Sequence, residues 1–82
     1  MPTILRVRGL RVMIYSYDHR PPHVHGIGPA AEARIALGDE GERPWVMTND
    51  GLSRRDMVEA LVEIERNRDL LLRRWREIHG DA

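Results

Sequence analysis

Apolar and polar residues alternate along the first half of the chain, then recur every three to four positions along its last third, which predicts strands followed by helix. Residues 3–8 and 10–17 are β-rich runs parted by Gly9 and read as a hairpin. In the second run Leu10, Val12 and Ile14 share one face, while Arg11, Met13, Tyr15 and Tyr17 share the other. Both faces are fairly apolar, as in an inner strand covered on two sides. After Pro21-Pro22, a His-Val-His-Gly-Ile run leads to a turn at Gly28-Pro29, and alternation resumes with Ala33, Ile35 and Leu37 opposed to Glu32 and Arg34. Residues 38–44 read as a polar loop, Trp45-Val46-Met47 as a fifth short strand, and Asn49-Asp50-Gly51-Leu52 as a break.

Ser53 stands three residues before Asp56, a spacing similar to a capping box, so a helix is expected to start there. Met57, Leu61 and Ile64, flanked by Val58 and Val62, form one apolar stripe, and Leu71, Trp75 and Ile78 form a second. A single straight helix over residues 53–79 would extend about 40 Å, against a radius of gyration of roughly 12 Å for a compact chain of this length. Two helices turning near Asn67 are therefore favoured over one that overhangs and meets a second subunit. The expected architecture is α+β: a small antiparallel sheet of four to five strands, followed by one or two C-terminal helices packed on it. It forms one domain, 1–82, with a β-rich half over 1–48 and a helical part over 53–79. Leu71 and Trp75, four residues apart, are expected to anchor the last helix.

Composition narrows the chemistry. With 82 residues there is room for one modest core. The 41% hydrophobic and 32% charged residues favour a folded chain over a disordered one. Cysteine is absent, which removes disulfides, thiolate metal sites and cysteine nucleophiles, so any metal must be held by nitrogen or oxygen. All 13 basic residues are arginine, which excludes a lysine Schiff base or a P-loop lysine and leaves a planar fork suited to phosphate. The 13 acidic residues cancel them, so the whole molecule lacks the charge of a general nucleic-acid binder, although residues 1–37 carry five arginines against Asp18 and Glu32. The N-terminal residues show no signal-peptide apolar run, and no stretch is apolar enough to span a membrane. A cytoplasmic location is the expectation.

The candidate chemistry lies in residues 18–25. His23 and His25 leave the same face of an extended strand and can converge on one atom, with Val24 opposed. Pro21 and Pro22 stiffen the turn that brings Asp18 and His19 back towards them. The polar character of the segment implies that the cluster contributes little to the core. Imidazole serves either proton transfer or metal ligation.

The segment Asp18-His19-Arg20-Pro21-Pro22-His23-Val24-His25 resembles the signature of a family of small bacterial proteins, domain-of-unknown-function family 4160. The resemblance extends through Met1 to Arg6, Gly9, Tyr15-Ser16, Ala31 to Arg34, Gly51 to Ser53, and Asn67-Arg68 to Trp75; the loop Gly38 to Pro44 does not share it. The family has no established activity, and the resemblance implies a toxin-antitoxin-like pairing with a protein encoded nearby.

Two functions of different class follow. The first is a toxin-like component acting on RNA as a ribonuclease, restrained by an antitoxin-like partner. His19, His23 and His25 would serve as acid and base, and Arg20 and Arg34 would bind phosphate. The alternative is a metal-binding regulatory module without catalysis. In it His23, His25 and either His19 or Asp18 hold zinc or another divalent ion, with Glu32 able to approach from the adjacent strand. A homo-oligomer through the C-terminal helix is a further expected association. Arg54 and Arg55 are read as solvated, and His79 as a charge suited to a helix end.

Overall fold

A computed structural model describes residues 3–39 and 41–80. Met1 and Pro2, where the family resemblance begins, and Glu40, in the polar loop, lie outside these residues. Five strands, β1 (Leu5–Val7), β2 (Leu10–Met13), β3 (His23–Ile27), β4 (Glu32–Ala36) and β5 (Trp45–Asp50), form one antiparallel sheet in chain order. Two helices follow, α1 (Arg54–Arg66) and α2 (Arg68–His79), giving the expected α+β architecture.

The β1–β2 hairpin turns on two residues, Arg8 and Gly9, both at positive φ, the geometry that follows the right-handed twist of the flanking strands. β2 is an inner strand, as its two apolar faces predict, but it ends at Met13 rather than at residue 17. The chain leaves the sheet because Asp18 folds back on Tyr15: the Tyr15 N–H donates to Asp18 Oδ2 (2.9 Å) and the Asp18 N–H donates to the Tyr15 carbonyl (3.1 Å). β5 is longer than the three residues expected. Asn49 and Asp50 pair with Ala33 and Glu32 beyond a bulge opposite Arg34 and Ile35, so the strand breaks only at Gly51. There a side chain would approach the Ala30 carbonyl to 2.8 Å.

The core lies between one face of the sheet and the two helices. Val12, Val24, Ala33, Ile35 and Leu37 come from the strands and the chain just beyond β4, and Met57, Ala60, Ile64, Leu71 and Trp75 from the helices. Ser53 caps α1 as its spacing predicts, its Oγ accepting from the Asp56 N–H (3.1 Å). The helix breaks at Asn67, whose side-chain amide donates to the Glu63 carbonyl (2.8 Å). The break keeps the helical part within the molecule: an unbroken helix of about 40 Å would exceed its longest dimension of 34 Å.

Arg68 fixes the new direction. Its Nε donates to the Leu37 carbonyl (2.8 Å) and its Nη2 to the Gly38 carbonyl (2.6 Å), tying the start of α2 to the end of β4. Charge-assisted hydrogen bonds contribute about 1.5–3 kcal/mol each, and their loss strands two carbonyls. Arg68→Ala should therefore lower stability by about 2–3 kcal/mol in urea unfolding; a change below about 0.5 kcal/mol would show that the bonds do not hold α2.

Candidate functional site

Three side chains from the predicted segment come together. Asp18 closes the turn after β2, and His23 and His25 stand two residues apart on β3, projecting from the sheet face opposite to Val24. His25 Nε2 lies 2.9 Å from Asp18 Oδ1 and 3.1 Å from Oδ2, and His23 Nε2 lies 3.6 Å from Oδ1. One ligand atom from each of the three falls within 4.8 Å of the others. The Asp18, His23 and His25 side chains are only 6%, 5% and 9% exposed.

This burial corrects the expectation that the cluster contributes little to the core. β3 is the central strand, with β2 and β4 hydrogen-bonded on either side of it. Along its sheet face His25 is flanked by Met13 and Arg34, while the His23 ring lies 5.4 Å from that of Trp75 on α2. Polar residue type does not prevent burial where the polar atoms find partners.

Those partners also set the tautomers. His23 Nδ1 is 2.8 Å from the Pro21 carbonyl, which can only accept, so Nδ1 carries a proton and Nε2 is the nitrogen turned towards Asp18. His25 Nε2 donates to the carboxylate, and its Nδ1 is buried with no hydrogen-bond partner among the described residues. Burial raises the affinity of Asp18 for its proton. The His25 hydrogen bond, the Tyr15 N–H and the two nearby imidazoles outweigh it and hold the carboxyl below the usual aspartate value. Asp18 is thus a carboxylate in the folded protein.

The arrangement fits a metal ion. Nitrogen and oxygen ligands at 2.0–2.2 Å around a tetrahedral ion are separated by about 3.3 Å; the two separations from Asp18, 2.9 and 3.6 Å, fall on either side of that value, and the two imidazoles offer ligand atoms within 4.8 Å of each other. A backbone carbonyl on the far nitrogen of a ligating histidine, as Pro21 provides for His23, and a second donor on the ligating carboxylate, as Tyr15 provides for Asp18, are the usual supports of a metal site.

The other sequence candidates lie outside this triad. His19 and Arg20 are exposed in the turn, and Asp18 rather than His19 supplies the third corner. Arg34 is exposed but pairs in register with His25, on the same sheet face, and its Nε donates to Thr48 (3.2 Å). Glu32 is exposed at the far end of β4, opposite Ile27. His79 is not simply a charge at a helix end: its ring packs on Trp75 at 3.9 Å, with Nε2 buried and without a hydrogen-bond partner among the described residues. The four-residue spacing of Trp75 and His79 puts them side by side on α2, but gave no sign that Trp75 would reach His23, because that depends on where α2 packs.

Comparison with known proteins yields two partial matches among curated relatives, both named UDP-2,3-diacylglucosamine hydrolase. One, from Pseudomonas syringae pv. syringae (strain B728a), is 35% identical over 69 residues, covering 78% of this chain and 28% of that protein. The other, from Pseudomonas savastanoi pv. phaseolicola (strain 1448A / Race 6), is 37% identical over 51 residues, covering 61% of this chain and 21% of that protein. The chain therefore spans less than a third of the length of either relative. No solved structure gives a significant match. The DUF4160 model, a domain of unknown function, matches residues 9–76, which include the whole Asp18–His25 signature and both helices but for the end of α2, and the chain belongs to that family.

Proposed function

We propose that this chain is a metal-binding module in which Asp18, His23 and His25 hold one divalent ion, zinc or an ion of similar preference. The observation that carries the reading is the orientation of His23: its Nδ1–H is tied to the Pro21 carbonyl, so its Nε2 is the nitrogen that faces a buried carboxylate that His25 also reaches. Binding would displace the His25 Nε2 proton and substitute a metal for the hydrogen bond to Asp18, which makes affinity rise with pH. Three protein ligands leave a coordination position open, to water or to a small ligand. The burial of all three side chains suits an ion better than a nucleic-acid phosphate. The partial match to proteins named as hydrolases covers too little of them to assign that chemistry here.

Cobalt(II) titration of the untagged protein tests this reading. Visible absorption bands of a four- or five-coordinate site should saturate near one equivalent and be lost in His23→Ala. A spectrum that stays that of aqueous cobalt would refute it.

A second reading rests on a different observation. The Asp18–His25 pair is a carboxylate-oriented imidazole, and Arg34 stands beside His25 in register, as an acid–base group and a phosphate-binding cation would for RNA cleavage. It is the toxin-like function, with an antitoxin-like partner encoded nearby. Growth arrest with RNA fragmentation on expression of the chain alone, relieved by the neighbouring gene and by His25→Ala, supports it; harmless expression with intact RNA removes it.

A further inference from the structure

We infer that the cleft between α2 and the turn before β3 binds a phosphate-bearing ligand, at a site separate from the triad and independent of whether the triad holds a metal. The cleft has a volume of about 590 Å³, within the usual range for small-molecule sites. Four arginines line it, Arg20, Arg68, Arg73 and Arg76, against two carboxylates, Asp39 and Asp69. A cavity carrying that excess of guanidinium groups concentrates positive potential where the low-dielectric wall focuses it.

The geometry of these groups matters more than their number. Arg68 is held by the Leu37 and Gly38 carbonyls, which occupy two of its five N–H donors and fix the plane in which the others lie. Arg73 and Arg76, three residues apart on one face of α2, form no ion pair or hydrogen bond through their side chains with the described residues. Asp69, four residues before Arg73, does not pair with it. Trp75 also lines the cleft and is 1% exposed, and its indole N–H is buried with no hydrogen-bond partner among the described residues. Trp75 is part of the cleft wall, so its indole N–H reports on an anion bound beside it. Arginine forks are suited to the oxygens of a phosphate.

The cleft and the triad share a wall. Trp75 faces the cleft and touches the His23 ring, and Pro22, which also lines the cleft, immediately precedes His23. A ligand phosphate held there would lie next to the triad without entering it.

The same phosphate chemistry can come from a free nucleotide or from an RNA backbone, and NMR titration of the Trp75 indole N–H separates the two. Inorganic phosphate, a nucleoside monophosphate and a short single-stranded RNA are the probes, with potassium chloride as the ionic-strength control. The expected result is a saturable shift of the Trp75 resonance with phosphate and the mononucleotide, but not with chloride, while the Trp45 indole, on the exposed edge strand, stays in place. A mononucleotide that binds more tightly per phosphate than the RNA points to a small ligand; tighter RNA binding that weakens steeply with salt points to the backbone. Arg73→Gln with Arg76→Gln keeps helix propensity and should weaken phosphate binding by about tenfold or more, with the melting temperature unchanged. The inference is overturned if millimolar phosphate leaves the Trp75 indole unmoved, or if the double variant binds as the wild type does.

Discussion

Trp75→Ala should cost about 3–5 kcal/mol, the range for truncating a fully buried large side chain, and is expected to be the most damaging single substitution in α2. Trp75 is 1% exposed, belongs to the core with Leu71, Ile64 and Met57, and touches both His23 and His79. Its loss would open a void between α2 and the sheet and leave the two imidazoles without their ring contact. Small domains hold only about 5–15 kcal/mol in total, so the variant should sit close to unfolding at room temperature. A chain of this size loses roughly 4–8 °C of melting temperature per kcal/mol, and thermal unfolding should therefore move by at least about 12 °C. Trp75→Phe is the informative companion: it keeps most of the packing and removes an N–H that has no partner among the described residues, so it should recover most of the loss. A Trp75→Ala cost below about 0.5 kcal/mol would contradict the burial on which the core and the cleft both depend.

The alternation of Ala33, Ile35 and Leu37 against Glu32 and Arg34, and the stripes Met57–Ile64 and Leu71–Ile78, were enough to place the sheet, the helices and the break near Asn67, because one-sided burial leaves its period in the sequence. The site was legible as far as His23 and His25 on one strand face. Asp18 was legible as one of two choices for a third group. The choice between Asp18 and His19 was not, since it turns on which residue the β2–β3 turn folds inward, and that is set by hydrogen bonds between Tyr15 and Asp18 rather than by periodicity. The burial of the triad was also hidden, because it depends on packing that periodicity does not record, of Trp75 against His23 and of Tyr15 against His25. The strand character of Asn49 and Asp50 escaped for a related reason: turn-favouring residues are held in β5 by pairing with Ala33 and Glu32.

Removing the two histidines together should abolish metal binding and also destabilise the metal-free protein. His25→Ala leaves the buried carboxylate of Asp18 without its imidazole donor, a loss of about 1.5–3 kcal/mol for a charge-assisted hydrogen bond. His23→Ala removes the nitrogen that the Pro21 contact turns towards Asp18, and with it a ligand. Loss of a supporting group around a metal ligand lowers affinity about 10–100-fold, and loss of the ligands themselves should exceed that range. Asp18→Asn serves as a second variant that preserves shape and the Tyr15 hydrogen bond while removing the charge, so a folded protein with an impaired site is available even if the double variant unfolds. Zinc at about 100 times its dissociation constant should stabilise the wild type by about 2.7 kcal/mol and leave Asp18→Asn nearly unaffected. The most direct test is the metal-to-protein ratio of the untagged chain after exposure to zinc and removal of free ion. The wild type should retain about one ion per chain, with Asp18→Asn and the double histidine variant falling below about one tenth of that. A metal-free wild type, or equal retention by wild type and both variants, would contradict a metal centre at Asp18, His23 and His25.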